Sequence, residues 1–189
     1  MTQLLSSLAL VLSIAATKVD EPTPDMMAEM MKPPKEMGQV SWLLGKWDGD
    51  MEFSFGGPPS KGTGTIEFKM TMKGRYMEGT HTYTEKTIGY QEGASLMTFD
   101  PEKKKWRAHW FDSTTAEIME VKGDLTANKI SLESGPMDQP MMGGAFRYRN
   151  SYEKSGKGFV MLLDMVQTKD GKDVGAWVNI IKGTFTKAK

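Results

Sequence analysis

Lys46-Trp47-Asp48-Gly49-Asp50-Met51-Glu52-Phe53-Ser54-Phe55 alternates without an exception. Trp47, Gly49, Met51, Phe53 and Phe55 fall on one side of an extended chain; Lys46, Asp48, Asp50, Glu52 and Ser54 fall on the other. Side chains of a strand point to opposite faces in turn, so a period of two marks a strand with one face on a core and one in water. Gly56-Gly57-Pro58-Pro59 then turns the chain.

The same period recurs downstream. Gly64–Met72 groups Ile66, Phe68, Met70 and Met72; Arg75–Glu85 sets Met77, His81 and Tyr83 against Glu78, Thr80, Thr82 and Thr84. Gly93–Phe99 is a further strand, ended by Asp100-Pro101, and Lys105–Phe111 groups Trp106, Ala108 and Trp110. Ala116–Val121 follows, then an expected turn at Lys122-Gly123-Asp124 and a short strand at Lys129–Glu133. Ser134–Gly144 is expected as a loop. Ala145–Glu153 sets Phe146, Tyr148 and Tyr152 against Arg147, Arg149 and Glu153. Gly158–Thr168 and Asp173–Lys187 flank a hairpin turn at Lys169-Asp170-Gly171-Lys172.

That makes nine or ten strands joined by short turns. Short connections make antiparallel neighbours. A sheet this wide must close or fold over to hide its edges and its apolar face. The expected fold is all-β, an antiparallel meander closed into a β-barrel; a two-sheet sandwich is the alternative.

Upstream of the strands the pattern differs. Val40–Leu44 reads as a short helical turn into Gly45. Thr17–Gly38 is a linker with Pro22, Pro24, Pro33 and Pro34. Within it Thr23-Pro24-Asp25 offers a capping hydroxyl, a proline in the first turn and an acid at the positive end, so Asp25–Lys32 is expected to be a short helix rich in methionine. Met1–Thr17 has no charged side chain, and Leu4–Ala16 is an apolar run of 13 residues. A membrane-spanning helix needs roughly 20. The run fits the apolar centre of a signal peptide, with small residues at Ala15 and Ala16, although no Lys or Arg precedes it. The expected organisation is therefore a signal peptide over residues 1–16, a linker over 17–38 and a barrel domain over 39–189, with the mature protein exported to the periplasm or outside the cell.

Composition narrows the function. The 189 residues carry 24 Lys+Arg and 24 Asp+Glu, a formal net charge of zero, without the basic excess usual in a nucleic-acid binder. Having no Cys, the chain can have no disulfide, thiolate metal site or Cys nucleophile. Its two histidines, His81 and His109, make a His-rich metal site unexpected.

Gly45-Lys46-Trp47, at the opening of the first strand, is similar to the Gly-x-Trp start of lipocalins and related calycin barrels. The Met-rich helix followed by Trp42-Leu43-Leu44-Gly45-Lys46-Trp47 resembles the bacterial domain-of-unknown-function 1579 family. So does the central run Glu92-Gly93, Leu96-Met97-Thr98-Phe99-Asp100, Lys105-Trp106 and Trp110-Phe111-Asp112-Ser113. The resemblance spans Met26 to Phe185. The chain departs from the family where Thr98-Phe99-Asp100 replaces Gly-Tyr-Asp, in lacking a His shortly before Trp42, and in ending Gly183-Thr184-Phe185 instead of Tyr-x-Arg. The resemblance implies a barrel and a frequently exported location; it implies no activity.

The faces assigned inward carry Trp47, Met51, Phe53, Phe68, Met70, Met77, His81, Tyr83, Trp106, Trp110, Phe146 and Tyr148. Such a lining, apolar with a few polar tips, suits a small-molecule pocket, and small barrels can hold one ligand. The same side chains could instead fill the barrel as a solid core. His81 is a candidate polar anchor or axial haem ligand, or a hydrogen-bonded core residue; His109 should face solvent. Asp164, among Val160, Leu162 and Val166, should be paired or shifted in pKa, or lie on an outer face covered by the N-terminal helix. Arg147 and Arg149 should be solvated outside. Asp112, Ser113 and His109 sit too close together for a catalytic triad. Met26, Met27, Met30 and Met31 read first as flexible apolar filler that docks a short helix, with Cu(I) ligation as the alternative, and Met137, Met141 and Met142 crowd one loop. The leading expectation is a binder of a small apolar ligand with no catalytic residues, no cofactor and no metal. A filled structural or interaction module, and a haem- or copper-binding protein, are the alternatives.

Overall fold

The computed structural model describes residues 23–189, so the segment read as a signal peptide lies outside the described residues. The chain divides into two compact units at Lys32/Pro33. The first contains α1, Pro24–Met30, capped as its sequence predicts: the Thr23 hydroxyl accepts a hydrogen bond from the Met26 amide at 3.3 Å, and Pro24 opens the helix.

The second unit starts with a 3-10 segment, Lys35–Leu43, and continues as strands only. These are β1 (Gly45–Phe53), β2 (Ser60–Thr71), β3 (Tyr76–Glu85), β4 (Gly89–Asp100), β5 (Lys105–Asp112) and β6 (Met119–Leu125). They continue with β7 (Lys129–Ser134), β8 (Met137–Gln139), β9 (Gly144–Ser155), β10 (Gly158–Lys169) and β11 (Lys172–Lys187). All pairings are antiparallel. β1 joins β11, β9 joins both β7 and β10, and the ring of ten strands closes, with the short β8 pairing outside it on the start of β9. The barrel, and not the sandwich, is the way this sheet hides its edges.

One expected turn is a strand. Lys122-Gly123-Asp124 lies inside β6, where Gly123 pairs with both Trp106 and Leu132. Glycine is there for close approach: a Cβ at 123 would run into the Ser131 carbonyl of β7. The loop expected at Ser134–Gly144 contains β8 and a 3-10 turn, Pro140–Met142.

The two ends of the barrel are built differently. Where β1 begins, the 3-10 segment closes the end: Met37, Val40 and Leu43 are buried in the core cluster. The Trp47 indole N–H donates to the Leu43 carbonyl at 2.6 Å, and Phe159 meets the rings of Trp47, Tyr152, Phe68 and Phe185 at 5.1–6.4 Å. Offset and edge-on ring pairs of this kind add to the burial energy. The opposite end, where β1, β3 and β5 finish, carries the loops to β2, β4 and β6.

β11 contains two irregularities in its pairing with β10. Leu163 pairs with Ile181 but Asp164 pairs with Asn179, so Ile180 is an extra residue, and Ile180 and Ile181 are both buried. Further back, Gly175, Ala176 and Trp177 stand opposite the single Val166, with Gly175 at φ +87°. Trp177 lies against the guanidinium groups of Arg149 at 4.5 Å and Arg147 at 5.5 Å. This corrects the expectation for the outer wall. Arg147 and Arg149 are half-buried, not freely solvated. Asp164 is bonded by Arg149 at 2.8 Å and by the Asn179 amide at 3.0 Å.

Candidate functional site

The cavity lies in the half of the barrel away from the 3-10 segment, with a volume of about 560 Å³. Its wall is supplied by strands from all round the ring. β1 contributes Met51, β3 His81 and Tyr83, β5 Trp110, β9 Tyr148 and Asn150, and β10 Met161, Leu163 and Met165. The bulge in β11 adds Ile180 and Ile181 side by side, where regular alternation would have turned one of them outward. Met119, Met137, Met142, Phe55 and Ile88 complete the apolar lining towards the loops.

Of the twelve side chains expected inside, Met51, His81, Tyr83, Trp110 and Tyr148 line this cavity. Trp47, Phe68, Met77 and Trp106 are buried in the core towards the end closed by the 3-10 segment, with Met70 packed against it, whereas Phe53, the last residue of β1, is buried at the opposite end against Phe55 at 6.3 Å and Tyr83 at 6.0 Å. Phe146 is buried near the start of β9, apart from both. The barrel is thus filled at one end and hollow at the other. Period-two reading places a side chain inside the ring but not at a height along its axis, and height decides which of the two it joins.

His81 sits at the border. Its ring meets Phe68 of the core edge-on at 5.8 Å and Trp110 of the cavity wall at 4.3 Å. Nε2 is 3.2 Å from the Ser95 hydroxyl, and Nδ1 is buried with no partner among the described residues. Burial holds the imidazole far below its ordinary 6.5, at about 3, so the ring is neutral at physiological pH. Asn150 is the second buried polar group of the wall: its amide N–H reaches the Tyr152 hydroxyl at 3.5 Å, and Oδ1 has no partner among the described residues. The Tyr83 phenol is pushed up to about 12 by burial and by the Asp112 carboxylate. The Tyr148 phenol is raised by burial and by Glu117.

His109 points away from the barrel axis, exposed and paired in register with Glu120, whereas Asp112 lines the cavity. These two and Ser113 form no catalytic set. No group of three or more His, Cys, Asp or Glu suited to a metal occurs among the described residues. No helix among them is long and apolar enough to cross a membrane.

The profile of a family described as protein of unknown function, DUF1579, matches residues 32–187. The chain belongs to this family. In this DUF1579 protein the match takes in the 3-10 segment, the whole ring and both irregularities of β11. Among solved structures, Rv2717c from M. tuberculosis is similar in fold, with a TM-score of 0.57 and 12% sequence identity over 84% of this chain and 100% of that one. No curated protein matches the chain.

Proposed function

We propose that this DUF1579 protein binds a small, largely apolar molecule in the open half of its barrel, without catalysing a reaction on it. The observation that carries the reading is the hollow half itself. About 560 Å³ lies within the roughly 300–1,000 Å³ of small-molecule pockets. The wall is apolar with sparse polar groups, and it includes two residues with unpaired buried polar atoms, His81 and Asn150. An unpaired buried polar atom costs about 1–3 kcal/mol, which a ligand's hydrogen-bonding group could recover.

The reading includes export, supported by the apolar run Leu4–Ala16. N-terminal sequencing of the protein from its host should find a mature chain beginning near Thr17; an intact Met1 would refute it.

Binding is tested with the neutral fluorophore N-phenyl-naphthylamine and by native mass spectrometry of protein from its host. One probe per chain should bind, and Leu163→Trp or Met165→Trp, which fill the cavity, should abolish binding while preserving the circular dichroism of the barrel. A wild-type protein that takes up no probe and carries no co-purified mass refutes the proposal and favours a structural or interaction module.

A further inference from the structure

The charged groups on the cavity wall are of one sign. Asp112, at the end of β5, and Glu117, in the loop after it, both line the cavity, and no Lys or Arg does so. Neither carboxylate has an ion-pair partner among the described residues, although twelve such pairs lie elsewhere on the barrel and on α1. Asp112 is held in place: it accepts from the Thr114 amide at 2.8 Å, from the Thr114 hydroxyl, and from the Trp110 indole N–H at 3.3 Å.

Aromatic rings accompany the two carboxylates. Asp112 bonds Trp110 and acts electrostatically on Tyr83, and Glu117 acts on Tyr148; all three rings line the cavity. Aromatic faces attract cations, and a carboxylate beside a low-dielectric enclosure acts more strongly than one in open water. His81, neutral at physiological pH, adds no opposing charge. Deeper in, Met161, Met165 and Ile180 supply apolar surface, and the unbranched methionines adapt to a flexible chain.

We infer that the cavity takes an amphiphile with a positively charged end, an amine or a quaternary ammonium group, held at the mouth beside Asp112 and Glu117 with its apolar body among the methionines below. This rests on the binding reading above and adds a sign to it: a fatty acid of the same length meets two carboxylates and no cation.

The test is displacement of N-phenyl-naphthylamine from the wild-type protein by dodecyltrimethylammonium, dodecanol and dodecanoate, each below its micellar concentration. The cation should displace the probe at a concentration on the order of tenfold below that needed for the carboxylate, with the alcohol between them. Added salt should narrow the gap, and Asp112→Asn with Glu117→Gln should close most of it. Since Asp112 also shapes its loop, Glu117→Gln alone, at an exposed position, should still narrow it. Equal displacement by cation and carboxylate, or a preference that survives the double substitution, overturns the charge assignment but leaves binding intact. Failure of the probe and of all three chains to bind overturns both.

Discussion

The imidazole of His81 lies 4.3 Å from the indole of Trp110, ring centre to ring centre, with the planes tilted by 34°. One ring is almost fully buried and the other stands on the cavity wall, so the pair joins the packed half of the barrel to the hollow half.

Burial of His81 makes stability depend on pH. In the unfolded chain the imidazole takes up its proton near 6.5, and in the folded barrel only near 3. Between these values the unfolded state binds more protons, so stability is complete above 6.5 and falls as the pH drops towards 3. From about pH 7 to pH 5 the wild type should lose on the order of 2 kcal/mol through this residue. Urea unfolding of wild type and His81→Gln across that range measures it. Parallel slopes would acquit His81.

Trp47 ties the 3-10 segment to the barrel through its N–H on Leu43. Trp47→Phe keeps a ring but removes that donor, for an expected loss of about 1–3 kcal/mol. Trp47→Ala also leaves a void against Phe159 and should cost about 3–5 kcal/mol. If urea midpoints show the two variants equally stable, the N–H and not the ring volume is what matters.

Gly123 is a position of close approach. Gly123→Ala puts a methyl group against the Ser131 carbonyl and should destabilise by about 1–3 kcal/mol. Gly135→Ala, where a Cβ meets nothing within 4 Å, should stay within about 0.5 kcal/mol of wild type. A tolerated alanine at 123 would mean that β6 and β7 separate more easily than their pairing implies.

The outer clamp rests on Arg149. Removing it as Arg149→Met leaves Asp164, 8% exposed, with the Asn179 amide as its remaining side-chain partner. The expected loss is about 1–3 kcal/mol. Adding Asp164→Asn should restore part of it, because the unpaired charge is then gone. A double variant as unstable as the sum of the two single ones would show that the pair has no coupling.

The ring of strands was legible because one side of it faces water. Trp47 to Phe53 announces a half-buried strand by period alone, and short turns dictate antiparallel closure. The hollow half was legible only in part. Met51, His81, Tyr83, Trp110 and Tyr148 share their period with Phe68 and Trp106, and nothing local separates the wall of a space from its filling. Ile180-Ile181 carried a usable signal: two adjacent large apolar residues break the alternation of Asp173–Lys187, as a bulge would. Trp177 and its arginines carried none, since the register slip that carries the indole to the outer wall is set by pairing with β10.

Among the described residues, Met37, Val40 and Leu43 stopper the barrel at the end where β1 begins, and the cavity lies towards the other end. If the proposed binding holds, an occupant would back out along the path by which it came, and a newcomer would not push it through. Exchange should therefore run at the pace of the resident's own departure, however much competitor waits outside.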